Sequence, residues 1–252
     1  MKKLLFLLLI IAQTAIGQQA DSLFIDANKL YKIGEFEKAI ETYKVIESKE
    51  IVSSELYYNL GNAYYKLNKV GPTIYYYEKA LKLNPLNEDV RNNLVFAKRL
   101  ALDNIEEVPK TVFQKFNANY LQKLSYNQWA VVCVVLSFLA SLLFLLFYFS
   151  QSSALKRIYF TISGIGFLAL ILSIFITYNQ YNFTKNNKEA IVFAEKTAIR
   201  NAPTLNSEEV FTLHEGTKVT VLDAIDNWKK IKIADGKLGW VIASEIKLLD
   251  AF

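Results

Sequence analysis

Two residue types on which enzymes commonly rely are nearly missing, since the chain of 252 residues has one cysteine, Cys133, and one histidine, His214. A single cysteine, set in an uncharged apolar run, excludes an intramolecular disulfide and a metal cluster of thiolate ligands. A single histidine leaves hydrolytic triads, zinc sites and histidine acid/base pairs without most of their parts. There is no GxxxxGK phosphate loop. The net charge of +5 is dispersed, with no arginine-rich block and no basic cluster interleaved with aromatics to track a phosphate backbone. We therefore expect no enzymatic activity, no cofactor, no metal and no nucleic-acid partner.

What the chain has in excess is apolar surface: hydrophobic residues make up 52% of it, and the mean hydropathy is +0.17. Both exceed the usual values for a soluble domain and point to membrane segments. Residues 1–17 read as a signal peptide. Lys2 and Lys3 precede the apolar run Leu4 to Ala12, and the small residues Ala15 and Gly17 are spaced for cleavage before Gln18. The run is too short to span a bilayer comfortably, and no cysteine follows it to carry a lipid; an uncleaved anchor or a buried helix is the alternative.

Two further runs, Ala130 to Phe149 and Ile158 to Tyr178, contain no charged residue. One central Lys or Asp would oppose membrane insertion by ~2.5 to 3.5 kcal/mol. Trp129, Tyr148, Tyr159 and Tyr178 stand at the run ends, where amphipathic rings favour headgroups. We expect transmembrane helices over 130–149 and 158–178. The intervening SQSSALKR, residues 150–157, is too short for a domain, so both flanking domains must share one side. A signal peptide directs that side out of the cytoplasm, and Lys156 and Arg157 in the loop agree with a cytoplasmic turn. Ser137 with Ser141, and Ala169 with Ser173, are small-xxx-small pairs that would let the two helices pack closely, or arise by chance.

Residues 18–103 have helical periodicity and align with themselves at an offset of 34. Tyr31, Lys32, Ile33, Ile40 and Tyr43 fall opposite Tyr65, Lys66, Leu67, Ile74 and Tyr77. The copy SSELYYNLGNAYYKLNKVGPTIYYYEKALKLNP resembles a tetratricopeptide repeat through Tyr57, Leu60, Gly61, Tyr64, Tyr77, Ala80 and Pro85; the first copy supplies Ala27, Gly34, Ala39 and Tyr43. Thr73 replaces the usual alanine, and Pro72 sits in a first turn, where its missing N–H is tolerated. Two repeats bury a thin core, so a helix over Glu88 to Leu102 is expected to cap them. Asn28 and Asn62 are equivalent in this register, as are Asn59 and Asn93, and their amides could line a concave face for an extended peptide, with Arg91 adding a charge. Alternatively they fill polar consensus positions; either way they are expected to lie outside the aromatic core. Tyr75, Tyr76 and Tyr77 point to three different faces, and Tyr77 matches a core position.

In the linker 104–129, Phe113, Phe116, Tyr120 and Leu124 share one helical face, as in a helix lying on a bilayer or one packed on the repeats. After a second linker, 179–188, the alternation of Val219 with Val221 and of Ile231 with Ile233, bounded by Glu215-Gly216 and Asp235-Gly236, marks a small all-β unit over 189–252. Arg200, Pro203, Gly216, Trp228, Gly236, Gly239 and Trp240 resemble the pattern of a bacterial SH3-like barrel. Trp228 differs in parity from Ile231 and Ile233, so it either marks a groove on the opposite face or, across a bulge, joins the core. His214 reads as a solvated loop residue.

The fold class is thus a multidomain membrane protein: an all-α tetratricopeptide-repeat domain, a two-helix transmembrane hairpin and a small all-β SH3-like barrel. This order of modules, with GPTIYYYEKALKLNP followed by EDVRNNL, resembles the BatE proteins of the bacterial Bat aerotolerance operon over nearly the whole chain. The resemblance implies a non-catalytic scaffold of the cytoplasmic membrane with both domains in the periplasm. Its implied partners are the operon's von Willebrand A-type membrane proteins and a MoxR-type ATPase. From the residues alone, an adaptor whose β barrel touches peptidoglycan is the other reading.

Overall fold

The computed structural model describes residues 19–106 and 108–249, so the signal-peptide expectation for 1–17 lies outside the described residues. Five helices come first: α1 over 19–32, α2 (Phe36–Glu47), α3 (Ser54–Lys66), α4 (Val70–Leu83) and α5 (Glu88–Lys98). The 34-residue offset is written into their ends. Ser53 and Asn87, one repeat apart, cap α3 and α5 by accepting from Leu56 N and Val90 N at 3.0 and 3.2 Å. Gly34 and Asn68, also one repeat apart, take the left-handed φ of +85° and +55° that turns the chain from the first helix of each pair into the second.

The interior obeys the same offset. Ala27 and Gly61, Tyr43 and Tyr77, Leu56 and Val90, Leu60 and Leu94, and Ala63 and Ala97 are buried pairs. Gly61 is small for a reason, because a Cβ there would lie 2.5 Å from Cδ1 and Cε1 of Tyr77. By burial and capping, α5 is the first helix of a third repeat.

The C-terminal part is an antiparallel sheet of seven strands: β1 (Lys188–Val192), β2 (Lys196–Arg200), β3 (Glu209–His214), β4 (Lys218–Ile225), β5 (Trp228–Lys232), β6 (Leu238–Ile242) and β7 (Ile246–Leu248). They stand in the order β3-β2-β6-β5-β4-β1-β7, around a core that includes Val192, Ile199, Leu213, Val219, Ile231 and Val241. Gly216 and Gly236 supply positive φ at the two turns expected from Glu215-Gly216 and Asp235-Gly236.

Of the segments 18–103 and 189–252, which read as separate domains, the described residues 19–83, 87–103 and 189–249 form one compact unit. Ile191 and Leu249 of the β part belong to the same apolar cluster as Ile74, Tyr75, Tyr76 and Leu94 of the repeats.

A second compact unit spans residues 109–188. It holds α6 (Val112–Phe116), a π-helical turn (Asn117–Leu121), α7 (Tyr126–Phe149) and α8 (Ser153–Asn186). The 24 and 34 residues of α7 and α8 rise ~36 and ~51 Å, and their most apolar stretches have mean hydropathies of 2.9 and 2.2. Both are long and apolar enough to cross a membrane. α8 overruns the apolar stretch 158–178 at both ends, since ALKR favours helix and residues 179–186 contain neither Gly nor Pro.

Candidate functional site

The repeat helices carry the strongest candidate. Tyr43 donates to Asn28 Oδ1 at 2.5 Å, and Asn59 Nδ2 donates to the same oxygen at 2.9 Å. One repeat later Tyr77 donates to Asn62 Oδ1 at 2.6 Å, and Asn93 Nδ2 donates to the same oxygen at 3.1 Å and to the Tyr58 hydroxyl at 3.1 Å. The four asparagines therefore form a ladder that links successive repeats and ties off two buried tyrosines. Burial pushes the Tyr43 phenol up to about 12, which keeps it a neutral donor at physiological pH. The expectation that these amides lie outside the aromatic core is corrected by these bonds.

A cavity of about 310 Å³ opens beside the second rung, lined by Tyr31, Tyr58, Asn62, Tyr65, Lys66, Tyr77, Asn93 and Phe96. Asn62 and Asn93 thus do reach a concave surface. Arg91 is exposed on α5, apart from this lining.

The unit's electrostatics concentrate where α4 meets the β strands. Glu78 is 7% exposed and bonded to Lys98 at 2.8 Å and Lys218 at 2.9 Å, and Lys218 also reaches Glu189 at 2.9 Å. Burial acts to raise the Glu78 carboxyl, but the two ammonium groups outweigh it and pull it down to about 2. Lys218 would be lowered by burial, yet Glu78 and Glu189 push it above the ordinary lysine range.

Two caps run in opposite directions across the same junction. Glu215 Oε2 accepts from Gly71 N in the first turn of α4 at 3.1 Å, placing a carboxylate at a helix N-terminus. Asp103, just past the repeats, accepts from His214 N at 2.7 Å and Thr217 Oγ1 at 2.5 Å, and faces His214 Nδ1 at 2.7 Å. Burial acts to raise Asp103, but the Thr217 and His214 bonds hold it below the ordinary carboxyl range. His214, read as a solvated loop residue, is part of this joint.

All three consecutive tyrosines are buried: Tyr77 against Gly61, Tyr76 stacked on Tyr64, and Tyr75 edge-on to Phe193 of the β part at 5.4 Å. A helix apolar on every side is buried on every side. That signal was available in the sequence and points to the junction.

On the sheet, β5 pairs with β6 in unbroken register, while the bulge falls in β4 between Val221 and Asp223. Trp228, half-buried, therefore shares a face with Lys230 and, across the ladder, with Ile242, Trp240 and Ile225, away from Ile231. Lys230 Nζ stands 6.0 Å from the Trp240 ring.

In the hairpin, Ser137 and Ser141 are exposed and do not form the helix contact. Cys133 Sγ lies 3.2 Å from Ser173 Oγ and 3.4 Å from Thr177 Oγ1, Ser163 Oγ donates to Ala140 O at 3.0 Å, and a Cβ on Gly166 would lie 3.2 Å from Ala140. Residues 133 and 140 are seven apart and share one face, whereas 137 and 141 lie ~60° and ~100° round the helix from Ala140, both to the same side, and are exposed. Of the second pair, Ser173 is buried in the contact and Ala169 is half-buried.

Among the described residues no group of three or more His, Cys, Asp or Glu side chains is placed to share a metal ion. Residues 54–87 match the tetratricopeptide repeat family and residues 195–247 match the bacterial SH3 domain family. No curated protein matches the chain. The chain thus carries two modules of kinds that typically serve binding, a tetratricopeptide repeat, which suggests protein–protein contacts, and a bacterial SH3 domain, which suggests cell-wall contacts, together with two long apolar helices.

Proposed function

We propose that the chain is a non-catalytic scaffold of the cell envelope, anchored by α7 and α8 as a transmembrane hairpin, with its repeats and SH3-like domain both in the periplasm. The observation that carries this is the shared core. Residues before and after the hairpin pack into one unit through Glu78 and Lys218, Gly71 and Glu215, and Asp103 and His214. Two parts that share a core share a side of the membrane, and an even number of crossings between them satisfies that. The reading takes 1–17 as the export signal and 150–157 as the cytoplasmic turn. Reporter fusions after Asn104 and after Phe252 should both behave as exported; a cytoplasmic signal at either sinks the topology.

The resemblance to BatE proteins favours a Bat-type aerotolerance or stress complex, with von Willebrand A-type membrane proteins as partners. On this reading the cavity between Asn62, Asn93 and Lys66 receives an extended segment of the partner, with Asn28 and Asn59 holding the groove in shape. Crosslinking at native expression should recover such membrane proteins. A second reading, wall attachment through the SH3-like domain, is favoured by the face carrying Trp228, Trp240 and Lys230. Retention on isolated sacculi, lost on Trp228→Ala, would support it over the first.

A further inference from the structure

The segment between Thr111 and Leu121 fits neither a loose linker nor a core helix. Thr111 and Gln114 form a reciprocal capping box, Thr111 N to Gln114 Oε1 at 2.9 Å and Gln114 N to Thr111 Oγ1 at 3.3 Å, so the helix has a built start. Its far end is a π-helical turn closed by Gln122 N to Asn117 O at 2.9 Å. Along this folded stretch Phe113 is 87% exposed, Phe116 53% and Tyr120 62%. A rigid element that presents three aromatic rings to its surroundings is costly in water.

Two hydrogen bonds fix the depth of this element on the hairpin. The Trp129 indole donates to Leu121 O at 2.9 Å, and Trp129 borders the apolar run that starts at Ala130. Gln180 Nε2 donates to Asn117 Oδ1 at 3.4 Å, and Gln180 lies two residues past Tyr178, where the second apolar run ends. One end of the turn is thus pinned to α7 and the other to α8, both at the outer boundary of the uncharged runs. Resting on the reading of α7 and α8 as membrane-spanning, this sets the element at headgroup depth. Lys115 and Lys123 beside it are exposed cations.

We propose that residues 111–121 are an interfacial foot on the bilayer surface. It inserts Phe113, Phe116 and Tyr120 at the boundary of headgroups and acyl chains, and it sets Lys115 and Lys123 against anionic headgroups. The occupant of the exposed face is lipid, because that face is continuous with the lipid-facing surface of the hairpin and flanked by charge of the complementary sign. The foot holds the outer end of the hairpin at a fixed depth and orientation.

The test uses the full chain with Cys133→Ser, reconstituted in phosphatidylglycerol/phosphatidylcholine vesicles. An environment-sensitive fluorophore is placed singly at Phe113→Cys, Phe116→Cys, or the control Asn119→Cys. Lipids with a spin label at the shallow end of the acyl chain should quench the probes at 113 and 116 at least about threefold more than the probe at 119, and aqueous iodide should show the reverse order. Equal iodide access at all three sites overturns the proposal. So does a probe at 116 that is shielded from iodide but untouched by spin-labelled lipid, which would mean protein covers the face. Probes at 113 and 116 report independently, so misfolding of one variant leaves the other decisive. If topology fusions failed while lipid quenching held, the periplasmic assignment would fall and the foot would stand.

Discussion

Replacing Glu78 by Gln tests whether the repeats and the β domain are one cooperative unit. Glu78 is buried between Lys98 and Lys218, the first on α5 and the second on β4. Its carboxyl falls from the ordinary 4.5 to about 2 on folding, which corresponds to ~3 kcal/mol of stability at neutral pH. Removing one member of a buried pair usually costs ~3 to 5 kcal/mol because a charge is stranded. Here Lys98 is 49% exposed and Lys218 keeps Glu189 at 2.9 Å, so the loss belongs at the low end, ~2 to 3 kcal/mol.

Urea unfolding of the full chain in lipid nanodiscs, read by hydrogen exchange, separates the outcomes. Amides of α4 on one side of the joint and of β4 on the other should lose protection together in Glu78→Gln. The pH dependence has a fixed sign: a depressed carboxyl contributes fully above about 4.5 and loses its contribution as pH falls toward 2. Wild type should therefore weaken through that window more steeply than Glu78→Gln. A loss below ~0.5 kcal/mol, or exchange that changes in the repeats and not in β4, would refute the shared unit.

Three further substitutions probe other parts of the structure. Asn59→Ala with Asn93→Ala should destabilise the repeats by ~1 to 3 kcal/mol per rung, measured by thermal melting in nanodiscs, because each removes a donor to an oxygen that also anchors a buried tyrosine; unchanged melting would mean the ladder is ornamental. Gly61→Ala should cost ~1 to 3 kcal/mol by overpacking against Tyr77, and a companion Tyr77→Leu should relieve it. With Cys133 replaced, Ala140→Cys and Gly166→Cys should crosslink readily in lipid and Ser137→Cys with Gly166→Cys should not, whereas equal yields would contradict the helix contact.

Much of the fold was legible because its signals are local or periodic. The offset of 34 residues located the helical repeat that the family match covers, and the uncharged runs located α7 and α8. What escaped was long-range. The asparagines at 28, 59, 62 and 93 looked like free amides because nothing in a linear reading shows that Tyr43 and Tyr77, each fifteen residues beyond an asparagine, return their hydroxyls to it. The hairpin seam was missed for a geometric reason: small-xxx-small spacing says that two residues share a face but not that the face meets a partner. Ala140 wins over Ser137 and Ser141 because Cys133 and Ala140 share the stripe facing Ser163, Gly166 and Ser173. The docking of the β domain was encoded in α4, where Tyr75 and Glu78 stand at the repeat positions that α2 fills with exposed Glu41 and Lys44.

That last comparison bears on why the β domain is there. A stack of two helix pairs and one further helix ends with α4 lacking a complete neighbour, and such an end exposes apolar surface unless a cap covers it. The α5 helix covers one flank and supplies Lys98. The β domain covers another, with Phe193 against Tyr75, Gly216 held where a Cβ would come within 2.8 Å of Ile74, and Glu215 on the N-terminus of α4. It therefore does what a terminal repeat does, while keeping the Trp228 face on a different part of its sheet. The β domain and the repeats belong to one chain, so the joint between them forms intramolecularly. A joint that is weak in trans can then be fully formed in cis, and any ligand that binds the repeats only in their capped form also stabilises the docked β domain, because coupling between two sites on one cooperative unit is reciprocal.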